Sequence, residues 1–205
     1  MLSKIEKYLL AVTPERHPVL SEMEQYAKEI GFPIVGPLVG RFLFQMALSI
    51  KARRILELGS GFGYSAFWLS QAVRGKGHLT LTDKSAKNKR LAMEYFKRAG
   101  LQSQFDFRVA DALKIINDLV GPYDMIINDI DKGGYPKVID PAAALLRKGG
   151  LLITDNILWS GRVLEKKQDE TSGAVVEFTR NIYRDSRFFT TILPLRDGLS
   201  VSVRL

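Results

Sequence analysis

Two carboxylates and an amide, far apart along the chain, have the chemistry of a metal site. Asp129 comes just after the apolar run 123–127, and Asp155 and Asn156 follow the apolar run 151–154. If both runs are parallel strands of one open sheet, their carboxyl ends meet where such sheets bind ligands. Oxygen donors of this kind favour Mg²⁺, and also Mn²⁺ or Ca²⁺. The local alternative is that Asp155 and Asn156 cap the next helix and that Asp129 lies in a loop.

Lys132 is a candidate base, because it follows Asp129 by three residues and can point into the same space. A lysine beside a metal in a pocket of low dielectric can accept a proton from a reacting group. We expect Asp131 to be solvated or to lie behind the ligands, since unpaired carboxylates are mostly exposed. Trp159 fits either the core or the wall of a pocket for an aromatic substrate, and the sequence leaves both open.

A glycine-rich segment, ILELGSGFGYS at residues 55–65, predicts a turn between a strand and a helix. Gly59 and Gly61 let the backbone turn sharply and approach a ligand closely. The spacing is not that of a dinucleotide loop, whose third glycine would fall at Tyr64, and no phosphate-loop lysine follows. Glu57, at the end of the strand, would repel a pyrophosphate and favour a cation.

Two more carboxylates follow apolar runs in the same way. Asp83 ends the run 78–82, 24 residues beyond Gly59, where a carboxylate can bind both hydroxyls of a ribose. Asp111 follows the run 105–109. With Glu57 they surround the glycine turn with negative charge, which predicts a cationic nucleoside such as S-adenosyl-L-methionine. The alternative is a tight turn with incidental acids.

The composition excludes several classes of site. Among 205 residues there is no cysteine, which rules out disulfides, thiolate zinc and cysteine nucleophiles. The two histidines, His17 and His78, lie away from the predicted strand ends, so we expect them to be structural. The start of the chain reads as an amphipathic helix rather than a signal peptide, and no apolar stretch predicts a membrane span. We therefore predict a cytoplasmic protein.

The net charge of +8 is unevenly distributed, because residues 111–160 carry five basic and seven acidic side chains. A basic surface around an acidic segment fits an anionic partner outside and a cation inside. The simpler interpretation is a lysine-rich soluble surface. For the same reason we expect the basic run at 84–98 to be a solvated helix face.

The elements that must position these residues alternate in type. Residues 1–50 have helical periodicity, and beyond them short apolar runs alternate with helical stretches, which predicts a parallel sheet covered on both faces. Gly149 and Gly150 are expected to stop the helix before the strand at 151–154. The predicted strands are 54–58, 78–82, 105–109, 123–127, 151–154, 188–193 and 199–203.

The last two strands are joined by the short turn 194–198, so they must be antiparallel. The prediction is an α/β, Rossmann-like, doubly wound fold. Its sheet has seven mostly parallel strands with one antiparallel strand near the edge, helices on both faces and extra N-terminal helices. We expect a single domain over 1–205, with a helical cap at 1–50 and the Rossmann-like core at 51–205.

The chain resembles the cation-dependent class I O-methyltransferases, the family of catechol and caffeoyl-coenzyme A O-methyltransferases and their small bacterial relatives. The likeness runs from about Ile5 to Val203. Its carriers are ILELGSGFGYS at 55–65, NDIDKGGY at 128–135, GGLLITDNILWSGRV at 149–163 and PLRDGLS at 194–200. Asn128 and Ile130 depart from the family's usual I-D-A-D-K pattern.

The resemblance implies roles for single residues. Asp129, Asp155 and Asn156 match the metal ligands, and Lys132 matches the catalytic lysine. Ser65 would lie near the methionine carboxylate and Asp83 on the ribose of S-adenosyl-L-methionine. The implied cofactor-binding residues are Val35, Glu57, Gly59, Gly61, Ser65, Asp83, Asp111, Ala112 and Asp129.

The expected function is S-adenosylmethionine-dependent and divalent-metal-dependent O-methylation of a vicinal-diol hydroxyl on a small aromatic substrate. One alternative is O-methylation of a hydroxylated uridine in tRNA, which the basic charge would suit. A second is a non-catalytic cofactor-binding protein. The resemblance also implies a homodimer, and we expect no membrane partner.

Overall fold

The computed structural model describes residues 2–73, 75, 77–101 and 104–205. These residues form one seven-stranded sheet with helices on both sides. The strands are β1 (Arg54–Leu58), β2 (His78–Asp83), β3 (Phe105–Val109), β4 (Tyr123–Asn128), β5 (Leu146–Thr154), β6 (Phe188–Leu193) and β7 (Leu199–Arg204). The helices are α1 (Leu2–Val12), α2 (Pro18–Ile30), α3 (Gly36–Ser49), α4 (Tyr64–Ala72), α5 (Ala86–Arg98), α6 (Ala112–Ile115), α7 (Ile139–Leu145) and α8 (Glu170–Arg184), with 3₁₀ helices at Ile116–Asp118, Lys132–Val138 and Trp159–Leu164.

The strand order is β3-β2-β1-β4-β5-β7-β6. The first five strands are mutually parallel, and β7 is antiparallel to both of its neighbours, β5 and β6. This confirms the predicted fold, including the single reversed strand near the edge. The chain order reverses between β1 and β4, and the crevice beyond such a switch point is the usual ligand site of an open α/β sheet.

The two faces of the sheet bury separate apolar clusters, because successive side chains of a strand point to opposite faces. On β1, Ile55 packs with the helices α2–α5, whereas Leu56 and Leu58 pack with α6–α8. Glu57 therefore points to the Ile55 face, where it is 1% exposed. A carboxylate in an otherwise apolar layer is costly unless it has partners, which marks Glu57 as a candidate functional residue.

The prediction for β5 was wrong at its start. We expected Gly149 and Gly150 to end the preceding helix, but that helix, α7, ends at Leu145 and β5 already begins at Leu146. The pairing with β4 shifts register between Tyr123 and Met125, so the glycines lie in an irregular part of the strand. Gly149 has φ +72°, a backbone conformation that glycine adopts without strain.

The two histidines lie outside the strand ends that face the site. His17 precedes α2, where its Nδ1 accepts a hydrogen bond from the backbone N–H of Val19 at 3.2 Å. Its ring also packs on Phe67, with 5.2 Å between the ring centroids. His78 is the exposed first residue of β2. Both positions agree with structural roles. Among the described residues, no helix combines the length and the hydropathy needed to cross a bilayer.

Candidate active site

A cavity of about 1100 Å³ opens beyond the carboxyl ends of the central strands, under the N-terminal helices. Nearly all of the residues singled out from the sequence line it. They are Val35, Gly59, Gly61, Ser65, Asp83, Asp111, Ala112, Asp129, Lys132, Asp155 and Asn156. Glu57 is the exception, because it lies beneath the glycine turn and not on the cavity wall.

The glycine turn is held between two neighbouring strand ends. Gly59 has φ +83°, and a Cβ added there would overlap the backbone carbonyl of Asp129. Only glycine therefore allows the end of β1 to approach the end of β4 this closely. On the other side, the N–H of Gly61 donates to Oδ2 of Asp83 at 3.1 Å. The turn presents its backbone to the cavity in a fixed position.

Asp83 and Asp111 organise the loops after β2 and β3. Oδ1 of Asp83 accepts hydrogen bonds from the N–H of Ser85 at 2.7 Å and from the side chain of Asn88 at 3.0 Å. Asp111 caps α6 by accepting a hydrogen bond from the N–H of Leu113 at 3.0 Å. Both carboxylates line the cavity, and since a carboxylate has about four acceptor positions, each can accept further bonds from a ligand.

Glu57 is buried under the turn and bonded to the start of α4. The hydroxyl of Ser65 donates to Oε1 of Glu57, whereas Oε2 has no partner among the described residues. Burial raises the pKa of Glu57 to about 7, although hydrogen bonds from Ser65 and Ser60 oppose the shift. An unsatisfied buried carboxylate oxygen is expensive, so this group favours a cationic or hydrogen-bond-donating ligand nearby.

Asp129 and Asp155 form an acidic pair at the ends of β4 and β5, in which Asp155 is buried and Asp129 is partly exposed. The backbone positions both: the N–H of Asp129 donates to Leu58 at 2.9 Å, and that of Asp155 donates to Asn128 at 3.1 Å. Burial, together with the charge of Asp129, raises the pKa of Asp155 to about 7. Burial also raises the pKa of Asp129, against the charge of Lys132. The pair makes this end of the cavity strongly attractive to cations.

Lys132 is the cation already present at the acidic pair. Its Nζ lies 2.8 Å from Oδ1 of Asp129, and its side chain is 11% exposed. The ammonium also lies 5.0 Å from the ring centre of Tyr135 and 5.7 Å from that of Trp159. Trp159 lines the cavity, so of its two open interpretations the structure favours the pocket wall.

Asn156 is held by a residue that the sequence reasoning did not assign. Its backbone has φ +56°, and its side-chain nitrogen donates to Oδ2 of Asp197 at 3.4 Å. Asp197 also accepts a hydrogen bond from the N–H of Ser160. The local capping alternative fails here, because the next 3₁₀ helix is capped by Leu158 without a side-chain bond. The PLRDGLS segment contained the only signal for Asp197.

Asp131 and Lys84 lie at the mouth of the cavity. The side chain of Asp131 is 88% exposed, as expected, and forms an ion pair with Lys84 at 2.9 Å. Lys84 also lies 3.5 Å from Asp111. The side chain of Lys84 is 61% exposed, as expected for a solvated residue. The prediction that it belongs to a helix face was wrong, because α5 begins only at Ala86, and the side chain of Lys84 pairs with two cavity carboxylates instead.

Comparisons with known proteins identify the family. The family model described as O-methyltransferase matches residues 11–205. A catechol O-methyltransferase of Niastella koreensis is 37% identical over 148 residues, covering 69% of this chain and 67% of the relative. The mouse catechol O-methyltransferase domain-containing protein 1 is 30% identical over 207 residues, covering 97% of this chain and 79% of the relative.

A solved structure extends the likeness to the whole fold. The O-methyltransferase from Bacillus cereus, crystallised in complex with SAH, superimposes with a TM-score of 0.89 at 28% identity, covering 98% of this chain and 97% of that one. Sequence and structure thus agree over the same region that carries the cavity. The chain therefore belongs to the O-methyltransferase family, which confirms the predicted family and enzyme class.

Proposed function

We propose that this enzyme transfers a methyl group from S-adenosyl-L-methionine to one hydroxyl of a vicinal diol on a small aromatic substrate, with the help of a divalent cation. The proposal rests on one observation: Asp129, Lys132, Asp155 and Asn156 line the same cavity as the glycine turn. A donor site and an acceptor site in one cavity are what group transfer requires. The Bacillus cereus neighbour bound to SAH and the Niastella koreensis catechol O-methyltransferase support the two halves of the proposal.

The residues at the acidic end fit a hard divalent cation such as Mg²⁺. Two carboxylates, each with a raised pKa, and one amide supply oxygen donors only. The amide of Asn156 directs its nitrogen to Asp197, which turns its oxygen away from that carboxylate. A cation bound by Asp129, Asp155 and Asn156 would supply Lewis acidity that makes an acceptor hydroxyl easier to deprotonate.

The glycine turn and its surrounding carboxylates would hold S-adenosyl-L-methionine, which supplies a methyl group on a positively charged sulfur. Asp83 would bind the ribose hydroxyls with its remaining acceptor positions. Ser65 would face the methionine end, and the buried Glu57 behind it, which accepts a hydrogen bond from the hydroxyl of Ser65, would favour positive charge there. Val35, 5% exposed at the start of α3, would help to exclude water from above.

Lys132 would take the proton from the acceptor hydroxyl. Its Nζ lies at the acidic pair and against Trp159, so an aromatic diol beside that ring brings a hydroxyl within reach. In its neutral form Nζ accepts the proton, and Asp129 stabilises the resulting ammonium. Since the transfer replaces a sulfonium by a neutral sulfide, the remaining work of the protein is orientation and exclusion of water.

Two alternatives make different predictions. A tRNA acceptor would need a basic surface around the site, and Lys87, Arg90 and Lys97 on α5 are exposed. However, Lys84 and Arg98 are paired with carboxylates, so less free charge is available than the sequence indicates. A non-catalytic protein would bind the cofactor without turnover. Cofactor binding alone would not require the acidic pair or Lys132, so their presence argues against this alternative.

The test is methyl transfer from labelled S-adenosyl-L-methionine to small catechols and to undermodified tRNA, with Mg²⁺ and after exhaustive EDTA treatment. We expect transfer to a catechol that EDTA abolishes and Mg²⁺ restores. Transfer to tRNA alone would show that the acceptor is tRNA and not a small catechol. Transfer that survives EDTA would refute the dependence on a divalent cation. The predicted homodimer and cytoplasmic location stay predictions, which sedimentation and cell fractionation would check.

A further inference from the structure

Arg196 extends from the β6–β7 turn to the N-terminal helices across the cavity mouth. Its Nη1 donates to the backbone carbonyl of Ile34 at 2.8 Å. The guanidinium lies against Gly36, where an added Cβ would come within 2.9 Å of Nη1. Arg196 itself has φ +51°, which costs energy for a residue with a side chain. These contacts hold the side chain of Arg196 at one position on the cavity wall.

The charge of Arg196 is only weakly compensated. Its one carboxylate partner among the described residues is Glu6 on α1, 3.8 Å from Nε. All of the other arginine–carboxylate ion pairs formed by described residues are 2.9 Å or shorter. A guanidinium has five N–H donors, and Arg196 uses one of them in a hydrogen bond to the described residues. Its side chain is 37% exposed, so the other donors are available to a ligand.

Arg196 faces the same end of the cavity as the reacting groups. Its charge opposes the rise in the pKa of both Asp129 and Asp155, and it lines the cavity together with Trp159. An acceptor whose ring lies beside Trp159, with its diol toward Lys132, has its opposite end free to reach the guanidinium.

We propose that Arg196 binds a carboxylate on the acceptor, so that the preferred substrate is an anionic aromatic diol. The inference rests on the proposed function and adds the substrate class. A single planar carboxylate matches the fork of the guanidinium. A polyanion such as RNA is disfavoured, because Glu6, Asp131 and Asp197 also line the cavity.

Substitution of Glu6 should have the opposite effect on acceptor binding to substitution of Arg196. It is 46% exposed and belongs to α1, so it competes with the acceptor carboxylate for the same guanidinium. Neutralising Glu6 should therefore strengthen the binding of an anionic diol. If the only role of Arg196 is to tie α1 and Ile34 to the turn, neutralising Glu6 should weaken catalysis or leave it unchanged.

The experiment compares 3,4-dihydroxybenzoate with the neutral 3,4-dihydroxybenzyl alcohol as acceptors, in the presence of Mg²⁺ and S-adenosyl-L-methionine. We expect the wild type to prefer the benzoate. Arg196→Gln should lower kcat/KM for the benzoate by roughly tenfold or more, the usual size of a lost charge-assisted hydrogen bond, and change that for the alcohol by less than about threefold. Arg196→Lys should keep part of the preference, and Glu6→Gln should increase it.

Three results would overturn the inference. Equal turnover of the two diols by the wild type would remove the preference. An equal loss on both diols in Arg196→Gln, with a lower Tm, would make Arg196 a structural tie. A decrease in benzoate turnover in Glu6→Gln would contradict the competition. If the wild type methylates neither diol but does methylate undermodified tRNA, the proposed small-molecule function fails together with this inference. If it methylates both diols equally, only the inference about Arg196 fails.

Discussion

Nζ of Lys132 lies 2.8 Å from Oδ1 of Asp129, where the lysine side chain is 11% exposed and that of the aspartate 31%. A largely buried ion pair of this kind contributes little net stability, but the loss of one partner leaves the other charge uncompensated. Because Asp129 is also adjacent in space to Asp155, the lysine balances an acidic pair rather than one carboxylate. Removing it should therefore have different effects on catalysis and on cation binding.

Lys132→Ala should abolish most of the turnover and leave the cofactor site intact. We expect kcat to fall by about 100-fold or more, the usual size of a lost general base. The affinity for S-adenosylhomocysteine, measured by calorimetry, should stay within about threefold. The affinity for Mg²⁺ should not fall, since the acidic pair loses the positive charge that competes with the metal ion. Lys137→Ala, an exposed lysine of the same 3₁₀ helix, is the matched control. Normal kcat in Lys132→Ala would exclude this lysine as the base.

Asp155→Asn should weaken cation binding without removing the cofactor site. The substitution keeps the shape of the side chain but removes one of the two negative charges that attract a divalent ion. We expect at least roughly tenfold weaker Mn²⁺ binding, followed by electron paramagnetic resonance, and a parallel loss of activity. Asp131→Asn is the control, because that carboxylate is 88% exposed at the cavity mouth. Equal Mn²⁺ affinity of Asp155→Asn and wild type would remove Asp155 from the ligand set.

Much of the fold and site could be predicted because the signals were local. Apolar runs ending in carboxylates placed Asp83, Asp129 and Asp155 at strand ends, and the structure brings them to one cavity. The start of β5 was missed because an irregular pairing with β4 keeps Gly149 within the strand despite its positive φ, and such pairing is non-local. Asp197 and Arg196 were missed for the same reason: the C-terminal turn reaches the site only through tertiary packing, as in the hydrogen bond from Leu158 to Asp197.

Asp197→Ala should weaken the cation site indirectly. The carboxylate holds the side-chain nitrogen of Asn156, so its loss frees the amide to rotate and to present its nitrogen in place of its oxygen. Residues that orient metal ligands typically change metal affinity by about 10- to 100-fold, and this long bond of 3.4 Å places the expected loss of Mn²⁺ affinity at the lower end. Asp197→Asn retains an acceptor oxygen and should recover part of the affinity. Equal affinities in Asp197→Ala and wild type would show that Asn156 does not depend on this contact.

The stability of the protein without ligands should fall as the pH rises from about 4.5 to about 7, owing in part to Glu57. Its pKa is raised from 4.5 to about 7 by burial. Below pH 4.5 the group is protonated in both states. Between the two values only the unfolded state loses the proton, which favours unfolding, and above pH 7 the decrease ends.

Glu57→Gln should remove this contribution, worth about 3 kcal/mol at most by linkage. Urea unfolding at a series of pH values measures it, and the variant should show a flatter profile than the wild type. Asp155, whose pKa is also raised to about 7, contributes a slope of the same sign, so the profile of the variant should not become level. Parallel profiles for the two proteins would mean that Glu57 ionises normally in the folded state.

Gly59→Ala should destroy the cofactor site by a backbone effect alone. The residue has φ +83°, and an added Cβ would overlap the carbonyl of Asp129, so the ends of β1 and β4 must move apart. We expect a loss of stability of about 2 kcal/mol or more and no measurable binding of S-adenosylhomocysteine. Gly173→Ala is the matched control, since a Cβ there meets no neighbour within 4 Å inside α8, and it should stabilise the helix by up to about 1 kcal/mol. If Gly59→Ala binds the cofactor normally, the close approach of the two strand ends is not needed for binding, and the fixed turn cannot explain the position of the donor site.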